Sequence, residues 1–418
     1  MSSLLGKGRK TRTQRMMPSD VNDFEDDDDA HTRDDDDDDE EEEEDKGRGG
    51  GRGGGGGHVL FCGEEFPSGF ESCKRHAMPF GIAIHNCPRD EVKRWIQRYD
   101  VAVPLMTRVD EDVLEGDKKG GGGGGKLKLV LQFGVGLEGV SIDAATRRDV
   151  KVGRIRSDKT PNAQSTAEMG VFLTLAALKR ANECRTAVLR RTLGAPMGDS
   201  LFGAHVLFIG FGRVAKAQAR MMKRGFGCKI FALVRRKKGG EGKREEDNEE
   251  EEEEEDKGLL EDTFEGDISN VDFVGRFPSE GNNVVVVACT CTRENRKMVN
   301  DHFIEQLKFG EKRVPGIVVN VARGALVDER AMRMACDSGK VLYYATDVCF
   351  EEPVDVDGDL LGPDENGKRA SNIFVTPHVG GVTVNSYEKM GKIIAEYAAK
   401  IVNEKKEIES DECVSIVN

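Results

Sequence analysis

The hexapeptide Gly210-Phe211-Gly212-Arg213-Val214-Ala215 constrains the fold more than any other feature of the chain. It follows a short apolar run, residues 205–209, and opens a stretch of helical character, VAKAQARMMKRG. In such a turn the first glycine permits a tight bend and the second lets the backbone approach a pyrophosphate. The third position needs only a small residue for helix–strand packing, and Ala215 serves. The N–H groups and positive dipole end of the following helix face the phosphates. A lone G-x-G-x-x-A is a weak signal, but here a strand precedes it and a helix follows, which is the context the motif demands. The spacing predicts a dinucleotide site in a parallel α/β unit.

The flanking sequence repeats the same alternation. AHVLFIG, GCKIFALV, NNVVVVACT, GIVVNVARG, LYYATDV and NIFVTPH are short apolar or β-branched runs, each ending in a polar or glycine break. Helical segments separate most of them, a doubly wound pattern. Upstream, HVLFCG, GIAIHN, VAVPLM and KLKLVLQFGVG read as strands of another α/β unit. PRDEVKRWIQRY between them reads as a helix started by Pro88-Arg89-Asp90. Residues 164–194 read as one long helix linking the units, with Met169, Phe172, Leu173, Leu175 and Leu178 at helical spacing. Residues 386–402 read as an amphipathic helix, and two polar insertions, 237–257 and about 355–370, as exposed. The expected fold class is α/β, with two doubly wound parallel sheets. No run of 18 apolar residues is present, so no membrane-spanning helix is expected.

The 418 residues suffice for two or three domains. The formal charge of −15 misleads. Residues 20–45 carry 19 acidic side chains and residues 241–256 carry 12, whereas residues 1–19 carry five basic ones and no acid. Outside these runs 46 acidic residues face 54 basic ones. The acidity therefore belongs to low-complexity segments with nothing apolar to bury. Residues 1–57, a basic start, an acid block and a Gly/Arg run, read as a disordered leader. Residues 115–125 read as a glycine-rich insertion. The basic residues show no aromatic-interleaved cluster, so nucleic-acid binding is not expected. The ten cysteines include no C-x-x-C pair and no His cluster adjoins them, so no metal site is expected. Most stand in apolar stretches, where a thiol packs as a small hydrophobe. Cys289 and Cys291, if in a strand, share one face. A reducing compartment fits best, the cytoplasm first. The basic, acid-free first 16 residues also fit a short organelle-targeting or nuclear address.

The end of the second strand after the glycine turn bears on cofactor choice. An acid there binds a ribose 2′-hydroxyl. This chain reads Leu233-Val234-Arg235-Arg236-Lys237-Lys238, with no acid and four bases. That favours NADPH over NADH, although the bases also suit pairing with the acidic insertion. Arg323 in NVARGALVDE, Glu352 in DVCFEEP and His378 in TPHVGGVT each follow an expected strand. Ligands bind at the carboxyl ends of strands in such sheets. Arg can grip a carboxylate with two hydrogen bonds and polarise the neighbouring carbonyl. His can pass a proton to the oxygen, and Glu can hold the ring. Singly, each has a structural reading: a strand cap, a solvated acid, a packed histidine.

Together these residues resemble the D-isomer-specific 2-hydroxyacid dehydrogenases. The resemblance runs from about residue 58 to 402. It rests on LQFGVGLEGVSID, NAQSTAEM, GFGRVA, CTRENRKMVN, NVARGALVDE, ATDVCFEEP and TPHVGGVT in this order. It implies a cofactor domain, residues 166–381, inserted into a substrate domain of flavodoxin-like build, residues 58–165 and 382–418. It implies a homodimer acting on a small 2-oxo acid or 2-hydroxy acid with NAD(P). It places the catalytic arginine, glutamate and histidine on Arg323, Glu352 and His378. Val135 and Gly136 correspond to the loop that receives the substrate carboxylate. Gly210, Gly212, Arg213 and Val214 correspond to the phosphate turn, with Arg235 and Arg236 at the ribose. Cys289, Val321, Ala322, Asp347 and Gly380 complete the cofactor set, Asp347 beneath the nicotinamide amide.

Three departures stand out. The apolar–Pro–Leu–Thr–x–x–Thr segment of the family reads Cys289-Thr290-Cys291-Thr292-Arg293-Glu294-Asn295. The ribose acid is Val234. Phosphoglycerate-type members carry an Arg-rich segment where this chain reads Pro104-Leu105-Met106-Thr107-Arg108. With 40 residues after His378, no appended regulatory domain is expected. Both the last segment and this tail point to a glyoxylate- or hydroxypyruvate-like substrate. The runner-up is an NAD(H)-binding corepressor-like scaffold of the same fold, for which the leader would recruit partners. A third reading, an alanine dehydrogenase or homocysteine hydrolase relative, conflicts with the spacing of the three polar residues.

Overall fold

The computed structural model describes residues 58–116, 126–235, 256, 258–266, 282–307 and 316–418. The leader, Arg236 to Lys238, most of the acidic insertion and most of the glycine insertion lie outside the described residues.

The strands, in chain order, are β1 His58–Cys62, β2 Ala83–Cys87, β3 Val101–Pro104, β4 Leu129–Gln132, β5 Lys151–Ile155, β6 His205–Ile209, β7 Lys229–Val234, β8 Asp262–Glu265, β9 Asn283–Val287, β10 Ile317–Asn320, β11 Tyr343–Thr346, β12 Ile373–Val375 and β13 Val414–Ile416. The helices are α1 Pro67–Ala77, α2 Val92–Trp95, α3 Glu111–Glu115, α4 Ile142–Arg147, α5 Asn162–Leu178, α6 Ala181–Leu189, α7 Arg213–Phe226, α8 Asp301–Gln306, α9 Glu329–Asp337 and α10 Val384–Val402.

They form two sheets. The first has six strands in the order β13-β5-β4-β3-β1-β2, parallel except for the edge strand β13. The second has seven parallel strands in the order β12-β11-β10-β9-β6-β7-β8. Its order reverses between β6 and β9, which opens a crevice beyond their carboxyl ends. Both faces of the second sheet are covered. Leu207 and Ile209 of β6, with Val285 and Val287 of β9, pack into one core, and Val206, Phe208, Val284 and Val286 into the other. That period of two, apolar on both sides, explains why these strands read as unbroken apolar runs. In β1, Val59 and Phe61 likewise face one core and Leu60 and Cys62 the other.

The chain leaves the first sheet after β5, enters the second through α5 and returns through α10. Helix α5 buries Leu173, Ala177 and Leu178 in the core beneath α7. Helix α10 packs on α1, where a Cβ on Gly391 would overlap Ser72 and where Ser72 Oγ donates to the Tyr387 carbonyl at 3.0 Å. The two crossings are tied together by Asn162 Nδ2, which donates to Gly381 O at 3.4 Å and Ser386 Oγ at 3.3 Å.

Several expectations need correction. The single helix over 164–194 is two, α5 and α6, broken where Arg180 adopts φ 57°. The 88–99 segment is a short α-helical turn between two 3₁₀ turns. Cys289 and Cys291 lie beyond the end of β9, in the loop. The 355–370 segment is not wholly exposed: Leu360 is buried, and the buried Arg333 guanidinium donates to the carbonyls of Leu360 and Gly362 at 3.3 and 2.6 Å. Strands β5, β8 and β13 were not legible as such. Among the described residues no helix is long and apolar enough to cross a membrane.

Candidate active site

All seven parallel strands of the second sheet end on one edge, and six of them deliver an expected site residue there. Gly210 follows β6, Arg235 follows β7, Cys289 follows β9, Arg323 follows β10, Asp347 follows β11 and His378 follows β12.

At the glycine turn, Gly210 has φ 86°, a region open to glycine at little cost. A Cβ there would also press on the Cys289 backbone across the crevice, at 2.7 Å from its Cα. Gly212 is the N-cap of α7, has no side-chain cap, and faces open space where a Cβ would stand. Ala215 is fully buried against the sheet. Uncapped N–H groups, an open approach and a small packing residue fit a dinucleotide pyrophosphate. Arg213 and Val214 are the first two residues of that helix. Arg235 is exposed at the end of β7, close enough to Glu294 to help hold that carboxyl low, behind the larger effects of the Thr292 and backbone hydrogen bonds. Arg236 lies outside the described residues.

Arg323 is projected by a turn that Asn320 builds. The fully buried Asn320 side chain donates to the Arg323 carbonyl and accepts from the Ala322 N–H, both at 3.0 Å. Val321 and Ala322 are buried within this turn. A Cβ on the next residue, Gly324, would overlap the Cys349 carbonyl group, so the turn lies directly on the loop that carries Glu352. Arg323 Nη1 donates to its neighbour's carbonyl, Ala322 O, at 2.7 Å, and Nη2 to Glu138 Oε2 at 3.3 Å. Glu138 belongs to the loop after β4, so this contact joins the two sheets across a cleft. Gly136, in the same loop, would meet both the Arg323 guanidinium and the Glu138 carboxylate if it carried a Cβ. Val135 stands beside it, half-buried.

Glu352 Oε2 lies 2.8 Å from His378 Nδ1, and Glu352 Oε1 accepts from the Cys349 N–H at 3.0 Å. Burial alone would raise the Glu352 carboxyl. The His378 hydrogen bond and charge, the Cys349 N–H and the Arg323 charge outweigh it and hold the carboxyl below its ordinary range. Asp347, 3% exposed, accepts from Thr376 Oγ1 at 2.6 Å, the Val379 N–H at 2.9 Å and the Gly380 N–H at 2.7 Å. These bonds bracket His378, whose φ of 56° is one that few non-glycine residues adopt. Asp347 thus braces the loop in which the histidine sits, and its Oδ2 keeps a lone pair for another donor.

With this geometry in hand, the matches to other proteins decide the family. Residues 171–264 and 279–380 match the NAD-binding domain of the D-isomer specific 2-hydroxyacid dehydrogenases. The chain belongs to that family. It is 29% identical over 312 residues to a D-3-phosphoglycerate dehydrogenase of Archaeoglobus fulgidus, covering 74% of this chain and 50% of that protein. It is 26% identical over 344 residues to a glyoxylate reductase of Thermococcus kodakarensis, covering 78% of this chain and 88% of the relative. The chain thus spans about half the length of the phosphoglycerate dehydrogenase it matches. Its fold is that of D-lactate dehydrogenase from Escherichia coli, with a TM-score of 0.61 at 18% identity over 83% of this chain and 97% of the other.

Sequence reasoning missed four parts of this dehydrogenase-family site. Asn320, Glu138, the Cys349 N–H and Glu329, whose Oε1 accepts from the Phe350 N–H at 2.7 Å, all shape or face it. Glu138 stands in LQFGVGLEGVSID, Asn320 and Glu329 in NVARGALVDE and Cys349 in ATDVCFEEP, so a local signal was present for each. The partner each one meets lies across the fold and leaves no local pattern. Cys291 lies among Arg296, Glu138 and Arg323, yet burial pushes its thiol up rather than activating it.

Proposed function

We propose that this chain reduces a small 2-oxo acid to a D-2-hydroxy acid with NAD(P)H. The observation that carries the reading is the His378–Glu352 pair at 2.8 Å, set beside Arg323 on the edge where the glycine turn opens. When bound, the nicotinamide supplies the hydride. Gly210, Gly212, Arg213 and Val214 would hold the pyrophosphate, and Cys289, Val321, Ala322, Asp347 and Gly380 the remainder of the cofactor. Arg323 would grip the substrate carboxylate with the backbone at Val135-Gly136, and polarise the adjacent carbonyl. His378 would pass a proton to the carbonyl oxygen from Nε2, the ring nitrogen that Glu352 does not engage. Glu352, held anionic, would keep the ring and its proton in place.

Val234, at the position where a strand-end acid would repel a 2′-phosphate, and the exposed Arg235 support NADPH over NADH. A small substrate is supported by the 104–108 loop, where Leu105 and Thr107 are buried, Thr107 donating to the Cys62 carbonyl at 2.6 Å. Only Met106 and Arg108 remain to meet a substrate tail. A homodimer is supported by an unpartnered apolar arm around α6, where Val188, Leu189, Leu193, Met197 and Phe202 are each more than 70% exposed.

The test is oxidation of NADH or NADPH followed by absorbance with glyoxylate, hydroxypyruvate, pyruvate, a branched 2-oxo acid and 3-phosphohydroxypyruvate. Turnover of NADPH with a small 2-oxo acid is expected. Turnover of NADH alone overturns the cofactor preference, and no turnover despite cofactor binding overturns the enzyme in favour of a scaffold.

A further inference from the structure

We propose that Glu138 is a resident carboxylate that occupies the anion seat of the cleft and must be displaced by the carboxylate of the substrate. The inference rests on the dehydrogenase reading above and adds to it a residue that sets substrate affinity.

Three groups converge on one small volume. Arg323 Nη2 donates to Glu138 Oε2 at 3.3 Å, and a Cβ on Gly136 would collide with the guanidinium and lie against the Glu138 carboxylate. Arg323 and the Gly136 backbone are the groups the reading assigns to the substrate carboxylate. Glu138 presents to them the same chemical group, a planar anion. Nη1 donates to the Ala322 carbonyl at 2.7 Å. Nη2 is the nitrogen that faces Glu138, and there Glu138 and a substrate carboxylate compete.

No other acid in the site plays this part. Glu352 is engaged by His378 and the Cys349 N–H, and Asp347 by Thr376, Val379 and Gly380. Among the described residues, Arg323 is the one hydrogen-bond and ion-pair partner of Glu138. Its side chain is 41% exposed and that of Arg323 38%, so the pair is wet at one side and Glu138 can swing into water. A pair this exposed is weak, and displacing it costs a substrate roughly two- to five-fold in affinity. The displaced carboxylate stays on the loop after β4, beside the 104–108 segment, for a Cβ on Gly139 would lie 3.4 Å from the Thr107 carbonyl. A substrate with a second anionic group would meet that charge. Monoanionic 2-oxo acids with a neutral tail are favoured.

The experiment compares the full chain with Glu138→Gln and Glu138→Ala. Steady-state constants are measured on glyoxylate and hydroxypyruvate, and the dissociation constant of oxamate, an unreactive 2-oxo acid mimic, is measured with NADH or NADPH bound. Both variants should lower KM and the oxamate dissociation constant roughly two- to five-fold, with kcat unchanged. The ratio of kcat/KM between 3-phosphohydroxypyruvate and hydroxypyruvate should rise. If the wild type turns over and KM and oxamate binding are unchanged or weakened in the variants, displacement is wrong while the enzyme stands. If the wild type turns over none of the 2-oxo acids, the dehydrogenase reading fails and takes this inference with it.

Discussion

Replacing Asp347 should uncouple the histidine from the rest of the site, and the size of the effect can be worked out. Asp347 is 3% exposed and accepts two backbone N–H groups and one hydroxyl at 2.6 to 2.9 Å. In Asp347→Ala the N–H groups of Val379 and Gly380 lose their acceptor in a buried place. Each orphaned donor costs about 1–3 kcal/mol, and with partial relaxation a total of about 3 kcal/mol is expected. In Asp347→Asn one oxygen remains, and the amide nitrogen must face an N–H, so about half of that cost is expected. For a folding unit of about 150–250 residues, such as the one built on the second sheet, 1 kcal/mol moves Tm by about 2–4 °C, so that unit should melt about 6–12 °C lower in the alanine variant. The same bonds hold His378 at φ 56°. Without them the loop relaxes toward an ordinary conformation and the 2.8 Å contact with Glu352 is lost. Proton transfer by a placed side chain is worth about 10²–10⁴-fold, so kcat should fall by about 10²-fold or more. Melting is measured on the cofactor-free protein, which separates bracing of the loop from any contact with the nicotinamide amide, and kcat on the loaded one. An Asp347→Asn protein that melts like the wild type and turns over normally would refute the reasoning.

Three further substitutions probe the same edge of the sheet. The Glu352 carboxyl is held below its ordinary range, so the pair with His378 stabilises the fold fully above about pH 4.3 and loses that contribution as pH falls through the depressed value. Glu352→Gln should flatten this acid-side loss in urea unfolding and lower kcat by about 10²-fold; an unchanged pH profile of stability would show that the pair is not energetically coupled. Gly136→Ala puts a methyl group where the tips of Arg323 and Glu138 now lie, so KM for any 2-oxo acid should rise about tenfold with cofactor affinity unchanged, and a normal KM would show that the guanidinium need not hold its present position to bind substrate. Arg323→Ala should lower kcat/KM by about 10³-fold while the dissociation constant of NAD(P)H, read by fluorescence, stays near wild type; surviving turnover would remove Arg323 from the chemistry.

The elements that were legible in the sequence are those whose signal is local. Strands β6, β9 and β10 are buried on both faces, which leaves an unbroken β-branched run that needs no partner to be recognised. The glycine turn was legible because its conformation restricts residue type at Gly210 and its helix begins at once. Strands β5 and β13 were not, because KVGRI and VSI acquire strand character only through tertiary pairing, β5 between β4 and the edge strand β13, with Val414 opposite Ile155. The break between α5 and α6 was missed because Arg180, which turns the chain there, is an ordinary helix former elsewhere.

The same division runs through the site. From residue order and type alone came the two doubly wound units, the dinucleotide turn, and the candidacy of Arg323, Glu352 and His378, because each stands in a short motif just past a strand. What only the tertiary structure decided is how those residues are held and what they face. Glu352 is anionic because a histidine 26 positions away and a backbone N–H outweigh its burial. Asp347 is a brace because two N–H groups more than 30 residues distant point at it. Glu138 meets Arg323 across 185 residues because the chain crosses between its sheets twice and brings their edges together. Side-chain identity is written locally, whereas hydrogen bonds and charge depend on distance in space, and the fold alone sets that distance.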